Sequence, residues 1–241
     1  MPQSIDITLE CHGALSQQMG SDTLGLSLAP PHTPAGLVAQ ASQQWPAAAG
    51  LLARTACARG DSLLAADQTL AAGDIVALIP PVSGGQAAAE PSPIAHHLTA
   101  DPLDLNNLLD ETEHDECGAL VVFGGTVRLA NNNRQVESMD YSAYGPLAAR
   151  TLANIERETI EQFGVHACRI QHRTGRLGLG EVSVYVVVRA VHRAAAFEAA
   201  SHALEELKAR VAVWKNEYYT DGSSAYLEGT EVPQPERPRR T

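Results

Sequence analysis

Residues 70–85 read LAAGDIVALIPPVSGG. Ala72-Gly73-Asp74 is turn chemistry. IVALIP (75–80) is a short apolar run bounded by turn signals, the pattern of a buried strand. Pro80-Pro81 ends it, because proline has no N–H to give a ladder. Gly84-Gly85 closes the segment. QAAAEPSP (86–93) follows, small, Pro-containing and unpatterned, which is linker composition. The chain therefore divides into a domain over 1–85, a linker over 86–93 and a second domain over 94–230.

Upstream of this stretch, IDITLE (5–10) and LGLSLA (24–29) alternate apolar and polar residues, as half-buried strands do, and read as a hairpin. Thr33 can cap a helix from Pro34 to Trp45, with Leu37, Val38 and Ala41 on one face. Strand, strand, helix, short strands and a final strand imply a small sheet crossed by one helix.

Downstream, IAHHLT (94–99) reads as a strand, and Asp101-Pro102 opens a helix through Glu113. ALVVFGGTV (119–127), VESMDYSAY (136–144), HACRIQHR (166–173), VSVYVVVRA (182–190), VAVWKNEYY (211–219) and SAYLE (224–228) read as strands. Long helices are expected over 146–163, stopped by Gly164, and over 193–210. TGRLGLGE (174–181) reads as a turn: its glycines precede a strand rather than the helix of a phosphate loop. LANNNRQ (129–135) reads as a polar, flexible loop. Residues 231–241 are expected to be a disordered tail. The second domain is α+β, with an antiparallel sheet and two long helices.

The net charge of −11 argues against a nucleic-acid or membrane-surface partner. No apolar run approaches the ~20 residues of a membrane helix. MPQSIDITLE lacks the regions of a signal peptide, so a cytoplasmic setting is expected. Cys11, Cys57, Cys117 and Cys168 form no CxxC pair and no zinc spacing, so neither a metal nor a catalytic cysteine is expected.

Of the 17 basic residues only Lys208 and Lys215 are lysines, seven positions apart. Arg128 follows a strand ending in Gly124-Gly125. His192-Arg193 sits where a strand meets a helix start, whose free N–H groups suit an anion. Singly, each has a bland reading: Arg128 capping a strand end, His192 satisfied and part-buried, Lys208 paired with Glu205 in solvent. Together they form a basic group in an acidic protein, which suits an anionic ligand.

The segment ending PPVSGG resembles the C-terminus of ubiquitin-like sulfur-carrier proteins, more narrowly the small subunit of molybdopterin synthase. The segments GALVVFGGTVR, YSAYGPLA, HRTGRLGLGE, AVHRAAAFEA and LKARVAVWKNEYY resemble that enzyme's large subunit over about 94–228. The resemblance implies a ubiquitin-like β-grasp domain fused to a catalytic domain. It also implies a thiocarboxylate on Gly85 whose sulfur attacks a cyclic pyranopterin monophosphate, two rounds giving the molybdopterin dithiolene. Lys215 is then the principal catalytic lysine and Lys208 its support. Arg128, His192 and Arg193 match the anion-binding set, and Phe123 the pocket that takes the tail. No bound cofactor is implied. The partners implied are an enzyme that adenylates and sulfurates Gly85, a protease cutting after it, and a second copy forming a dimer through the catalytic domain. Two alternatives stay open: an uncleaved, non-catalytic fusion, and a carrier module delivering sulfur to other enzymes.

Overall fold

The computed structural model describes residues 4–81 and 94–227. Gly84-Gly85, the linker and the tail lie outside the described residues.

The first domain runs β1 (Ile5–Cys11), α1 (Ala14–Met19), β2 (Thr23–Leu28), α2 (Pro34–Gln44), α3 (Ala49–Leu52), β3 (Ala56–Arg59), β4 (Ser62–Leu63) and β5 (Ile75–Ile79). Its sheet has the order β2-β1-β5-β3-β4. β1 pairs antiparallel with β2 and parallel with β5, so the first and last strands lie side by side at the centre. α2 starts as the sequence implies: Thr33 Oγ1 accepts from the Gly36 N–H at 3.2 Å, and Pro34 occupies the first turn. Leu37 and Ala41 of α2 are buried with Leu9, Leu28 and Leu78 of the sheet. A mixed sheet grasping one helix is the ubiquitin-like β-grasp. The short helix α1 is an addition to the sequence reading, its six residues stopped by Gly20 in the left-handed region.

The second domain runs α4 (Ile94–His97), β6 (Leu98–Thr99), α5 (Leu105–Glu111), β7 (Ala119–Thr126), β8 (Ala130–Asn131), β9 (Arg134–Ala143) and α6 (Gly145–Phe163). It continues with β10 (Ala167–Arg173), β11 (Gly175–Gly178), β12 (Val182–Ala190), α7 (Arg193–Arg210), β13 (Val213–Tyr219) and β14 (Ser224–Tyr226). One sheet has the order β6-β10-β12-β7; the other has β11-β9-β13-β14, with β8 paired to β9. α6 buries Leu147, Leu152 and Ile155, each worth about 1.5–3 kcal/mol.

Four expectations need correction. Residues 94–99 form a helical turn and a two-residue strand, not one strand. The next helix spans 105–111, because Asp104 caps it by accepting from the Asn106 and Asn107 N–H groups. TGRLGLGE is not only a turn: 175–178 is β11, paired with β9. LANNNRQ is a tight hairpin, with Asn132 and Asn133 both at positive φ (47° and 61°), the two-residue geometry that asparagine tolerates.

The two domains share a core. Ala56, Ala58, Ala77 and Ile79 of the first sheet are buried in one cluster with side chains of the second domain. The Tyr144 hydroxyl donates to the Gly60 carbonyl at 2.6 Å, and Arg150 pairs with Asp61 at 3.0 Å. His12 stacks on Trp214, and Gly13 lies so close to that indole that a Cβ there would meet Cδ1 at 3.0 Å.

Candidate functional site

β5 leads out of the first domain into a cavity of about 270 Å³ between the domains. Pro80, Pro81, Leu51 and Arg54 line one side; Trp214, Tyr226 and Leu227 line the other. The Leu227 N–H donates to the carbonyl of Lys215 at 2.9 Å, so the cavity wall is bonded to the lysine strand itself.

Lys215 lies on β13, opposite Tyr141 of β9. Alternation along the strand puts Lys215 and Glu217 on one face and Trp214 on the other, with Tyr219 following a register shift. Lys215 is half-buried, and its pKa is pushed below the usual amine range. Burial is the largest cause, the charge of Lys208 the next, and Glu217 opposes both. The end of α7 and the start of β13 thus bring the two lysines into one electrostatic neighbourhood. The bland partner foreseen for Lys208 is also present: its Nζ lies 3.1 Å from Glu205, both side chains well exposed.

Arg128 joins this end of the domain through a relay. Its guanidinium donates to Asn131 Oδ1 at 2.5 Å, and the Asn131 amide donates to Glu217 at 2.9 Å. Glu217 is buried and also accepts from the Tyr219 hydroxyl at 2.8 Å. His172 completes the interior. Its Nδ1–H donates to the Arg173 carbonyl at 2.8 Å and its ring meets Tyr141 edge-on at 5.1 Å. Burial above all holds its pKa down at about 4, aided by Lys215. Sequence reasoning missed Asn131, Glu217 and His172. The hairpin turn at Asn132-Asn133 was the available signal for the first.

Phe123, on β7 opposite Val186, packs partly buried against the core beside Gly125. His192 and Arg193 do not join the lysines. They are exposed at the start of α7, whose 18 residues run as one helix to Arg210. Fifteen residues at 1.5 Å separate Arg193 from Lys208 by roughly 22 Å. The three residues matched to anion binding are therefore split: Arg128 is linked through Asn131 to Glu217 on the strand of Lys215, and the His-Arg pair stands apart. Gly85 lies outside the described residues.

Comparison with known proteins agrees with this architecture. Residues 98–210 match the MoaE protein family, and residues 22–85 match the ThiS family, a stretch ending on the second glycine of the pair. A molybdopterin synthase catalytic subunit from Neurospora crassa is 40% identical over 122 residues, 51% of this chain and 59% of that protein. One from Bacillus subtilis is 38% identical over 125 residues, 52% of this chain and 80% of that protein. The crystal structure of molybdopterin synthase from Staphylococcus aureus superposes with a TM-score of 0.52 at 32% identity, covering 55% of this chain and 96% of that one. No helix among the described residues is long and apolar enough to cross a membrane. The chain belongs to the molybdopterin synthase family, and joins in one polypeptide a ThiS-type β-grasp domain and a MoaE-type catalytic-subunit domain.

Proposed function

We propose that this chain makes the dithiolene of molybdopterin, transferring sulfur from a thiocarboxylate on Gly85 to a cyclic pyranopterin monophosphate. The observation that carries the reading is the cavity where Pro80 and Pro81 meet Trp214, Tyr226 and Leu227, one hydrogen bond from the Lys215 strand. Four residues separate Pro81 from the end of Gly85, a reach of at most about 14 Å. That length lets a C-terminus extend past the cavity wall.

Arg128 serves the substrate phosphate, guanidinium geometry being suited to that group. Lys215, with its lowered pKa, exchanges protons as the ring opens, and Lys208 keeps that pKa low. In each round the thiocarboxylate sulfur bonds to the pterin and water then cleaves its acyl C–S bond, leaving that sulfur on the pterin and a carboxylate at Gly85. No bound cofactor is needed: the sulfur comes from Gly85, loaded beforehand by an adenylating and sulfurating enzyme. A peptide bond to Gln86 occupies the carbonyl this chemistry uses, so a protease cuts after Gly85. His192 and Arg193 are too distant to serve their own chain's lysines, and serve those of a second copy in a homodimer. The exposed Leu120 and Val122 on edge strand β7 support such a partner. A cytoplasmic setting fits the reduced thiols this chemistry runs beside.

Intact mass of the protein from its own cells tests this. A fragment ending at Gly85, with oxygen exchanged for sulfur, is expected. Full-length chain alone in cells making molybdopterin overturns it. The docking of both domains in one chain favours a second reading, an uncleaved fusion, which predicts that second result.

A further inference from the structure

Far from the lysines, three metal-ligating side chains from two loops converge. His114 and Cys117 lie between α5 and β7; His166 lies between α6 and β10. One ligand atom from each lies within 4.8 Å of the other two. The imidazoles of His114 and His166 are 4.0 Å apart centre to centre, tilted by 37°. A turn fixes the local pair, the Cys117 N–H donating to the His114 carbonyl at 3.1 Å. A carboxylate stands by: Glu116 Oε2 is 3.9 Å from His166 Nε2.

We propose that His114, Cys117 and His166 bind a divalent transition-metal cation of the zinc type, with Glu116 or water as fourth ligand. Two imidazoles and a thiolate are borderline-soft donors, which favour zinc or cobalt over magnesium or calcium. Tetrahedral bonds of about 2.0–2.3 Å need donor separations of roughly 3.3–3.8 Å, so the cluster closes by about an ångström. His114 and His166 are exposed enough to move that far. His114 Nδ1 now accepts a long hydrogen bond, 3.3 Å, from the Glu116 N–H, and the cation takes its place. Binding turns the Cys117 thiol into a metal-bound thiolate and releases its proton to solvent. Burial pushes the Cys117 thiol up and the Glu116 charge adds to that, while the charge of Arg189 opposes them and favours the thiolate.

The position gives the site a role. A Cβ at Gly118 would stand 3.0 Å from the Val191 carbonyl, so the Cys117 loop lies against the turn that leads into His192-Arg193. The His166 N–H donates to the Arg189 carbonyl on the same strand end at 2.9 Å. A bound cation would tie both loops to the base of the His-Arg pair and hold that pair still.

The test uses the full chain, stripped with chelator and then titrated with zinc chloride and cobalt chloride. The expected result is about one equivalent bound, with near-ultraviolet thiolate-to-cobalt absorption. Cys117→Ser and His166→Ala are each expected to weaken binding by roughly 100-fold. Both should keep the parent's melting temperature in chelator, which separates lost binding from lost folding. Cys11, Cys57 and Cys168 are buried and stand outside this cluster, so the thiolate signal reports Cys117. Substoichiometric metal, a cobalt spectrum without thiolate absorption, or unchanged binding in both variants overturns the proposal. If either variant misfolds, the exposed His114→Ala replaces it under the same criteria.

Discussion

His12 of the β-grasp domain lies flat on Trp214 of the MoaE-type domain, ring centroids 5.5 Å apart and planes 4° from parallel. The imidazole is held below its usual pKa, by burial above all, with Asp22 opposing. A neutral ring on an indole is a docking contact. His12→Ala is expected to weaken association of the two domains, made as separate chains, by about 3- to 10-fold, from the ~0.5–1.5 kcal/mol of an aromatic pair. Calorimetric titration of one onto the other measures this. Unchanged affinity would mean that the shared core and the Tyr144 and Arg150 contacts hold the domains together without it.

The lysine pair yields a pH test. Lys208 lowers the pKa of Lys215 by charge. Removing that charge in Lys208→Gln leaves the burial effect and lets the Lys215 pKa rise. On the proposed function, the limb of the kcat/KM profile that belongs to Lys215 therefore moves to higher pH. A limb that stays put, or moves down, would show that Lys208 acts on the substrate and not on Lys215.

His172 makes stability depend on pH. Its folded pKa, about 4, lies below the ordinary value of 6.5. Between those values the unfolded chain binds a proton that the folded chain refuses. Stability is therefore full above pH 6.5 and falls as pH drops toward 4, by about 3 kcal/mol from this group. Denaturant melts of the parent and of His172→Gln should diverge in slope across that window and run parallel above it. The variant is expected to be less stable at neutral pH, having lost packing against Tyr141.

Asn131 is the link between Arg128 and Glu217. Asn131→Ala removes an acceptor from the guanidinium and a donor from a buried carboxylate, a loss of about 1–3 kcal/mol of local order. On the proposed function, KM for the anionic pterin should rise several-fold while kcat changes less. A fall in kcat with KM unchanged would move Arg128 from binding to chemistry.

Much of the fold was legible. Thr33 and Pro34 announced α2, Gly164 stopped α6, and the apolar run 182–190 became β12 at the residues expected. These signals are local, so one stretch of sequence carries them. The misreadings are where tertiary pairing decides. Gly175–Gly178 has no strand composition, yet β9 recruits it. IAHHLT (94–99) read as one strand, and a helical turn leading into a two-residue strand forms instead. Of the candidate site, the lysine pair stood out as rare residues in an arginine-rich chain. Glu217 and His172 were not, because a buried acid or histidine on a strand looks like any other until its neighbours are known. His166 was invisible as a partner of Cys117 for the same reason: 49 positions separate them, and folding alone closes the gap.

Ala56, Ala58, Ala77 and Ile79 are buried in a cluster shared by both domains. On the proposed function, the end of β5 must visit two places in turn, the enzyme that loads sulfur and the pocket that spends it. One face cannot be in two complexes at once. Each molecule of product needs two sulfurs, so two departures and two returns are built into every turnover. The dwell time of the docked state then caps the rate of synthesis: a tighter joint between the domains would make a slower enzyme.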